Sequence, residues 1–210
     1  SYYMSDLSKF KKIQDTVKIG SYEEVDNVEL STITKNAADK KPLSGFILRG
    51  YETKFNGKPN ENYEVYAPDA LNAFVEEYFV KGGFNMPVDV EHEQGLMSLA
   101  GRVLVLEVNT VGYYFVVYVP KTYRYYQDVK HLLEEGILQG FSKYGYSTKW
   151  RSIFDKEGNF SHELIEEMKI TRLSIVSTPA NIVSFEQIQE TKNELVFKNK
   201  AKKSLFKQNP

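Results

Sequence analysis

Three short stretches hold side chains whose types suit acyl transfer. His92 closes the alternating run Pro87-Val88-Asp89-Val90-Glu91-His92 and is followed by the turn-like Glu93-Gln94-Gly95. Ser142 stands among Gly136, Gly140 and Gly145, where a backbone without side chains lets a substrate carbonyl come close. Leu173 to Ser177 is an apolar strand that breaks into Thr178-Pro179-Ala180-Asn181, a turn whose free backbone N–H groups suit an anion. A serine hydroxyl is a poor nucleophile until a base accepts its proton, so a serine and a histidine are the pair such chemistry needs. Each stretch also has an ordinary reading: a structural histidine, a serine in a glycine-containing strand, a core strand with its loop. Of the other histidines, His131 lies beside Leu132 and Leu133 in a helical pattern, and His162 is expected exposed in a polar linker after Gly158-Asn159.

Composition narrows the classes. Cysteine is absent, which excludes a thiolate nucleophile, disulfides and zinc sites built on thiolates. The three histidines are far apart, which argues against a His-rich metal cage, and no metal or other cofactor is implied. The 27 basic and 28 acidic residues leave a net charge of −1, so there is no global electrostatic case for nucleic acid. No apolar run approaches the ~20 residues that cross a bilayer. The 210 residues, 41% of them hydrophobic, suffice for one sizeable core. Ser1-Tyr2-Tyr3-Met4 reads as a vector remnant ahead of a natural Met4, and the chain as soluble and intracellular.

The elements that would position these residues follow from periodicity. Residues 1 to 41 are polar and weakly periodic and read as a flexible arm. The body, 42 to 183, opens with a strand at Phe46-Ile47-Leu48 and a turn at Asn56-Gly57. Pro68 suits the first turn of a helix carrying Leu71, Phe74, Val75, Tyr78 and Phe79 on one stripe. Strands are expected at Pro87–His92, Leu99–Val108 and Tyr113–Val119, then a helix from about Tyr123 to Glu135 stopped by Gly136. Two more strands run from about Leu138 to Trp150 and from Met168 to Ser177. Residues 184 to 210 form a tail with Lys198, Lys200, Lys202, Lys203 and Lys207. The fold class expected is α+β, a mostly antiparallel β-barrel-like domain with flanking helices.

The order of these blocks resembles the prohead (capsid maturation) serine proteases of tailed phages, related in fold to the herpesvirus assemblins. Gly45-Phe46-Ile47-Leu48-Arg49-Gly50 is similar to that family's opening strand, and Tyr66-Ala67-Pro68-Asp69-Ala70-Leu71 to its helix start. Val90-Glu91-His92-Glu93 with Ala100-Gly101-Arg102-Val103, Gly136 to Tyr146, and Ile170 to Asn181 complete five blocks over residues 45 to 181. The resemblance implies a serine endopeptidase with Ser142 as nucleophile and His92 as general base. Backbone N–H groups at Thr178, Ala180 and Asn181 would meet the oxyanion. The implied substrate is a scaffold protein or the scaffold region of the major capsid protein, cut inside an immature phage capsid in the host cytoplasm, or in the cytoplasm of a bacterium carrying the prophage. Self-processing and a homo-oligomer fit the same picture; a membrane or a specific nucleic acid does not. A catalytically silent capsid component of the same fold is the alternative.

Two positions depart from the family pattern. One extra residue lies between Ser142 and Gly145, which a β-bulge would absorb. Arg172 occupies the third catalytic position, where the family carries Glu and the assemblins His. An arginine cannot accept the imidazole N–H. Glu167 is the first candidate to replace it, with Glu91 and Glu93 behind it, and Ser174 is a fallback polar partner for His92. On this reading Arg172→Glu raises activity.

Overall fold

The two densest β-branched and aromatic stretches form one hairpin. Leu99–Val108 (β6) and Gly112–Pro120 (β7) pair antiparallel, joined by a turn in which the Asn109 carboxamide accepts from the N–H groups of Val111 and Gly112. The computed structural model describes residues 10–34, 41–60, 62–82, 85–93 and 95–177, with Glu52 by its backbone alone. Besides this hairpin its strands are Lys11–Lys18 (β1), Ser21–Val28 (β2), Leu43–Lys54 (β3), Glu64–Tyr66 (β4), Pro87–Val90 (β5), Leu138–Phe154 (β8) and Phe160–Ser177 (β9). They join in a single sheet in the order β1-β8-β9-β5-β6-β7-β3-β2, with β4 added beside β9.

Most neighbouring strands pair antiparallel, as expected, but the sheet is mixed, because β4 and β5 both lie parallel to β9. It curls into a half-barrel. The strands at its two ends, β1 and β2, are consecutive in sequence, and the corner between them is tied to both flanks: Ile19 N–H donates to Gln139 and Gly20 N–H to Arg49. Phe46, Leu48, Val88, Phe115, Val117, Phe141, Leu173 and Ile175 fill the concave side. Leu30, Leu43, Ile47 and Val116 form a smaller cluster elsewhere.

Both expected helices are present. The Pro68 stretch gives one α-turn, Asn72–Phe74, which continues as a π-helix, Val75–Lys81. The second helix, Tyr126–Glu134, buries Tyr126, Val129 and Leu133 and stacks Tyr126 on Phe46 at 5.0 Å. It ends in a Schellman motif: Gly136 at φ 70° lets its own N–H reach Leu133 and that of Ile137 reach Leu132.

Three expectations change. The polar N-terminal stretch is not wholly an arm, since Lys11–Lys18 pairs with β8 and Ser21–Val28 with β3. β9 begins at Phe160 and not at Met168, so His162 sits half-buried in a strand with its Nδ1 2.9 Å from Ser161 Oγ. The bulge falls where one was expected, but on the facing strand. Tyr144 pairs with Arg172 and Gly145 with Ile170, leaving Thr171 as the extra residue, its hydroxyl donating to the Tyr144 carbonyl at 3.1 Å.

Candidate active site

That bulge decides which way the end of β9 faces. Met168 and Ile170 point to the core before it, and Leu173 and Ile175 after it, so Arg172 and Ser174 turn to the other face. Ser142 pairs with Ser174, and Ser174 with Asp89 in the parallel β5–β9 ladder. Ser142, Ser174 and Asp89 therefore form a row across β8, β9 and β5, which Thr16 extends onto β1. All four are buried, Ser142 and Ser174 at 0% exposure and Asp89 at 1%. Tyr144 and Arg172 make the next row.

His92 reaches this face through a strained turn. Glu91 and His92 both adopt φ 58°, a left-handed conformation that non-glycine residues rarely hold and that concentrates at functional sites. The turn is pinned to the end of β9: Glu91 N–H donates to Ile175, and the Glu91 carboxylate accepts from the N–H and hydroxyl of Ser177. The imidazole meets the edge of the Tyr144 ring at 5.1 Å. Tyr144 in turn carries the Arg172 guanidinium at 4.7 Å and the Lys12 ammonium at 5.2 Å.

The electrostatics keep His92 a free base. Burial is the main cause holding its pKa below the ordinary imidazole value, with Arg172 and Lys12 adding to the depression and Asp89 and Glu91 opposing it. Arg172 lies 2.9 Å from Asp89 as an ion pair, Nε to Oδ2, without the alignment of a hydrogen bond. The other carboxylate oxygen of Asp89 accepts from Ser174 Oγ.

Among the described residues, five buried side-chain polar atoms have no hydrogen-bond partner: Asp89 Oδ2, His92 Nδ1, Ser142 Oγ, Arg172 Nε and Thr148 Oγ1. Four of the five belong to this one cluster. Asp89 Oδ2 and Arg172 Nε face each other as an ion pair, which leaves Ser142 Oγ and His92 Nδ1 as the buried atoms of the cluster with no hydrogen-bond or ion-pair partner, unlike buried polar groups in general.

The structure places Ser142, His92, Arg172 and Ser174 on one face, with Ser174 partnering Asp89 and not His92. It does not bring Glu167 there. Glu167 is exposed on β9, five residues before Arg172, about 16 Å along a strand, beside Lys149 and Arg151. Glu93 is exposed, and His131 lies on the exposed side of its helix. Thr178, Ala180 and Asn181 lie outside the described residues. Asp89 and Tyr144 escaped sequence reasoning; the only trace of Asp89 was a carboxylate in an otherwise apolar strand three residues before His92. A cavity of about 770 Å³, lined by Asp15, Thr53, Asn60, Glu64 and Tyr66, opens elsewhere, beside the strand partners on the core side of β8.

A family model, that of the caudovirus prohead serine proteases (peptidase family S78), matches residues 31–198. The chain belongs to the prohead serine protease family. Its function is thus that of a prohead maturation protease. Among solved structures, the capsid assembly protease gp21 of bacteriophage T4 has the same fold, with a TM-score of 0.61 at 13% identity over 80% of this chain and 99% of that one. No curated protein sequence matches. The family name asks for a serine nucleophile.

Proposed function

We propose that Ser142 and His92 are the nucleophile and general base of an endopeptidase that cuts scaffold protein, or the scaffold region of the major capsid protein, inside an immature phage head in the host cytoplasm. The observation that carries this reading is the shared face of orphaned atoms, Ser142 Oγ and His92 Nδ1 foremost. In the acylation step the imidazole takes the hydroxyl proton as Oγ attacks the scissile carbonyl. It then delivers that proton to the departing amine as the C–N bond breaks. Water repeats the sequence on the ester and frees the enzyme. A depressed His92 pKa suits this role, since an imidazole already protonated at neutral pH accepts nothing. Ser142 Oγ makes no hydrogen bond to His92 here, in keeping with contacts that tighten only around substrate. The turn holding Thr178, Ala180 and Asn181 supplies the oxyanion N–H groups in this reading, by family resemblance. Pro179 donates none.

Co-expression with the major capsid protein of the same phage tests it. Truncated capsid protein or a self-trimmed protease is expected, and Ser142→Ala abolishes the cuts. Trimming that continues unchanged in Ser142→Ala removes Ser142 from the role. An intact capsid protein with the unmutated chain supports the catalytically silent alternative.

A further inference from the structure

Arg172 fills the place where the family keeps the group that orients its histidine, yet the structure holds a carboxylate against that arginine. We propose that Asp89 is the positioning residue of His92, holding the imidazole with its Nδ1–H towards β5 and its Nε2 free for Ser142. This rests on the Ser142–His92 reading.

Four observations carry it. Asp89 is buried and stands on the Ser142–Ser174 rung. Ser174 fixes Oδ1, which leaves Oδ2, facing Arg172 Nε at 2.9 Å as an ion pair but accepting no hydrogen bond, as the oxygen open to the imidazole. Oδ2 and His92 Nδ1 are both buried and both lack a hydrogen-bond partner, one an acceptor and the other the nitrogen that an orienting carboxylate engages. The side chains between them are shared: Arg172 touches Asp89 and stacks on Tyr144, and Tyr144 meets the His92 ring. Other carboxylates are spoken for. Glu91 spends both oxygens on Ser177, and Glu93 and Glu167 are exposed. Arg172 then has a defined part. Its guanidinium is the counter-charge of a carboxylate buried to 1% exposure.

The charged and titratable groups facing His92 are Asp89 and Glu91 from β5 and its turn, Arg172 from β9, Tyr144 from β8 and Lys12 from β1. Removing Asp89 alone leaves Arg172 uncompensated and risks the fold, so the experiment uses Asp89→Asn, Arg172→Gln and the double variant in the full chain. Two readouts are followed against pH: phosphonylation of Ser142 by a fluorophosphonate, and the imidazole ¹⁵N shifts of His92. Asp89→Asn and the double variant are expected to label about 10³-fold or more slowly. Their His92 tautomer shifts away from Nδ1–H, and the acid limb moves to lower pH in Asp89→Asn. A double variant that labels at the unmutated rate with an unchanged tautomer overturns the proposal and reduces Asp89 to a counter-ion for Arg172. If the unmutated protein trims its substrate while Ser142→Ala does the same, the nucleophile assignment itself has failed, and the proposal goes with it.

Discussion

At the scale of single residues, the proposed nucleophile carries a cost in stability. Ser142 Oγ is buried without a partner, and an unsatisfied buried hydroxyl costs about 1–3 kcal/mol. Ser142→Ala is therefore expected to lose trimming while gaining up to about 1 kcal/mol of stability, read by urea unfolding. A loss of stability would mean that the hydroxyl is satisfied in solution. Arg172 is subtler. The expectation that Arg172→Glu raises activity gives way once the arginine is seen beside Asp89, because the change sets two carboxylates together at a buried position. Arg172→Glu should destabilise the fold by about 2–3 kcal/mol. Arg172→Gln should instead retain labelling and move its acid limb to higher pH, since the guanidinium holds the His92 pKa down. A limb that stays in place would show that Arg172 and His92 are not electrostatically coupled in solution.

At the scale of elements, β1 matters more than its sequence suggests. It covers the β8 edge along the whole Ser142 stretch, from the Lys11–Ser147 pair to the Lys18–Gly140 pair. β2 is nearly all exposed, yet it is anchored by the Arg49–Glu23 ion pair at 2.8 Å and by the Tyr126 hydroxyl donating to Glu24. Limited trypsin digestion read by mass spectrometry should therefore spare Lys11, Lys12 and Lys18 under conditions that cut exposed loops, because a paired strand must open before it is cleaved. Early cleavage at Lys18 would show that β1 opens separately from the sheet. The bulge at Thr171 is the other decisive element. It costs one unpaired residue and repays this by turning Arg172 and Ser174 to the side that holds Ser142 and His92.

At the scale of the whole molecule, the half-barrel carries a second buried polar group behind the site. Lys143, fully buried, lies 3.6 Å from Asp15, 3.2 Å from the Thr53 hydroxyl and 3.9 Å above the Tyr66 ring. These partners come from β1, β3 and β4, so one side chain of β8 links all three across the core. Lys143→Met leaves Asp15 buried without its cation and should cost about 3 kcal/mol in urea unfolding, most of it recovered in the Asp15→Asn, Lys143→Met double variant. Equal losses in the single and double variants would assign the cost to packing. Burial raises the pKa of both Asp15 and Glu64. The native state therefore keeps their protons above the unfolded carboxyl range of about 4, and stability falls as pH rises from there through the raised values.

Much of this was legible in the sequence, because local physics writes it there. The strands at Leu99–Val108 and Tyr113–Val119 follow from β-branched and aromatic density. The helix at Tyr126–Glu134 follows from its apolar spacing and Gly136, whereas Ser142 and His92 stood out by residue type alone and took their proposed roles only from the family resemblance. What stayed hidden depends on pairing between distant segments. β2 is exposed on both faces, so no alternation betrays it, and β1 gains its place only because the edge of β8 needs a partner. A single unpaired residue, Thr171, inverts the face of all that follows in β9, and nothing local to the chain says on which strand a bulge will fall. Asp89 and Arg172, 83 positions apart, are set against each other by the parallel β5–β9 register. Residue types determined which chemistry was available; the tertiary ladder decided which carboxylate shares a face with His92, because side-chain direction in a sheet is fixed by register and not by composition.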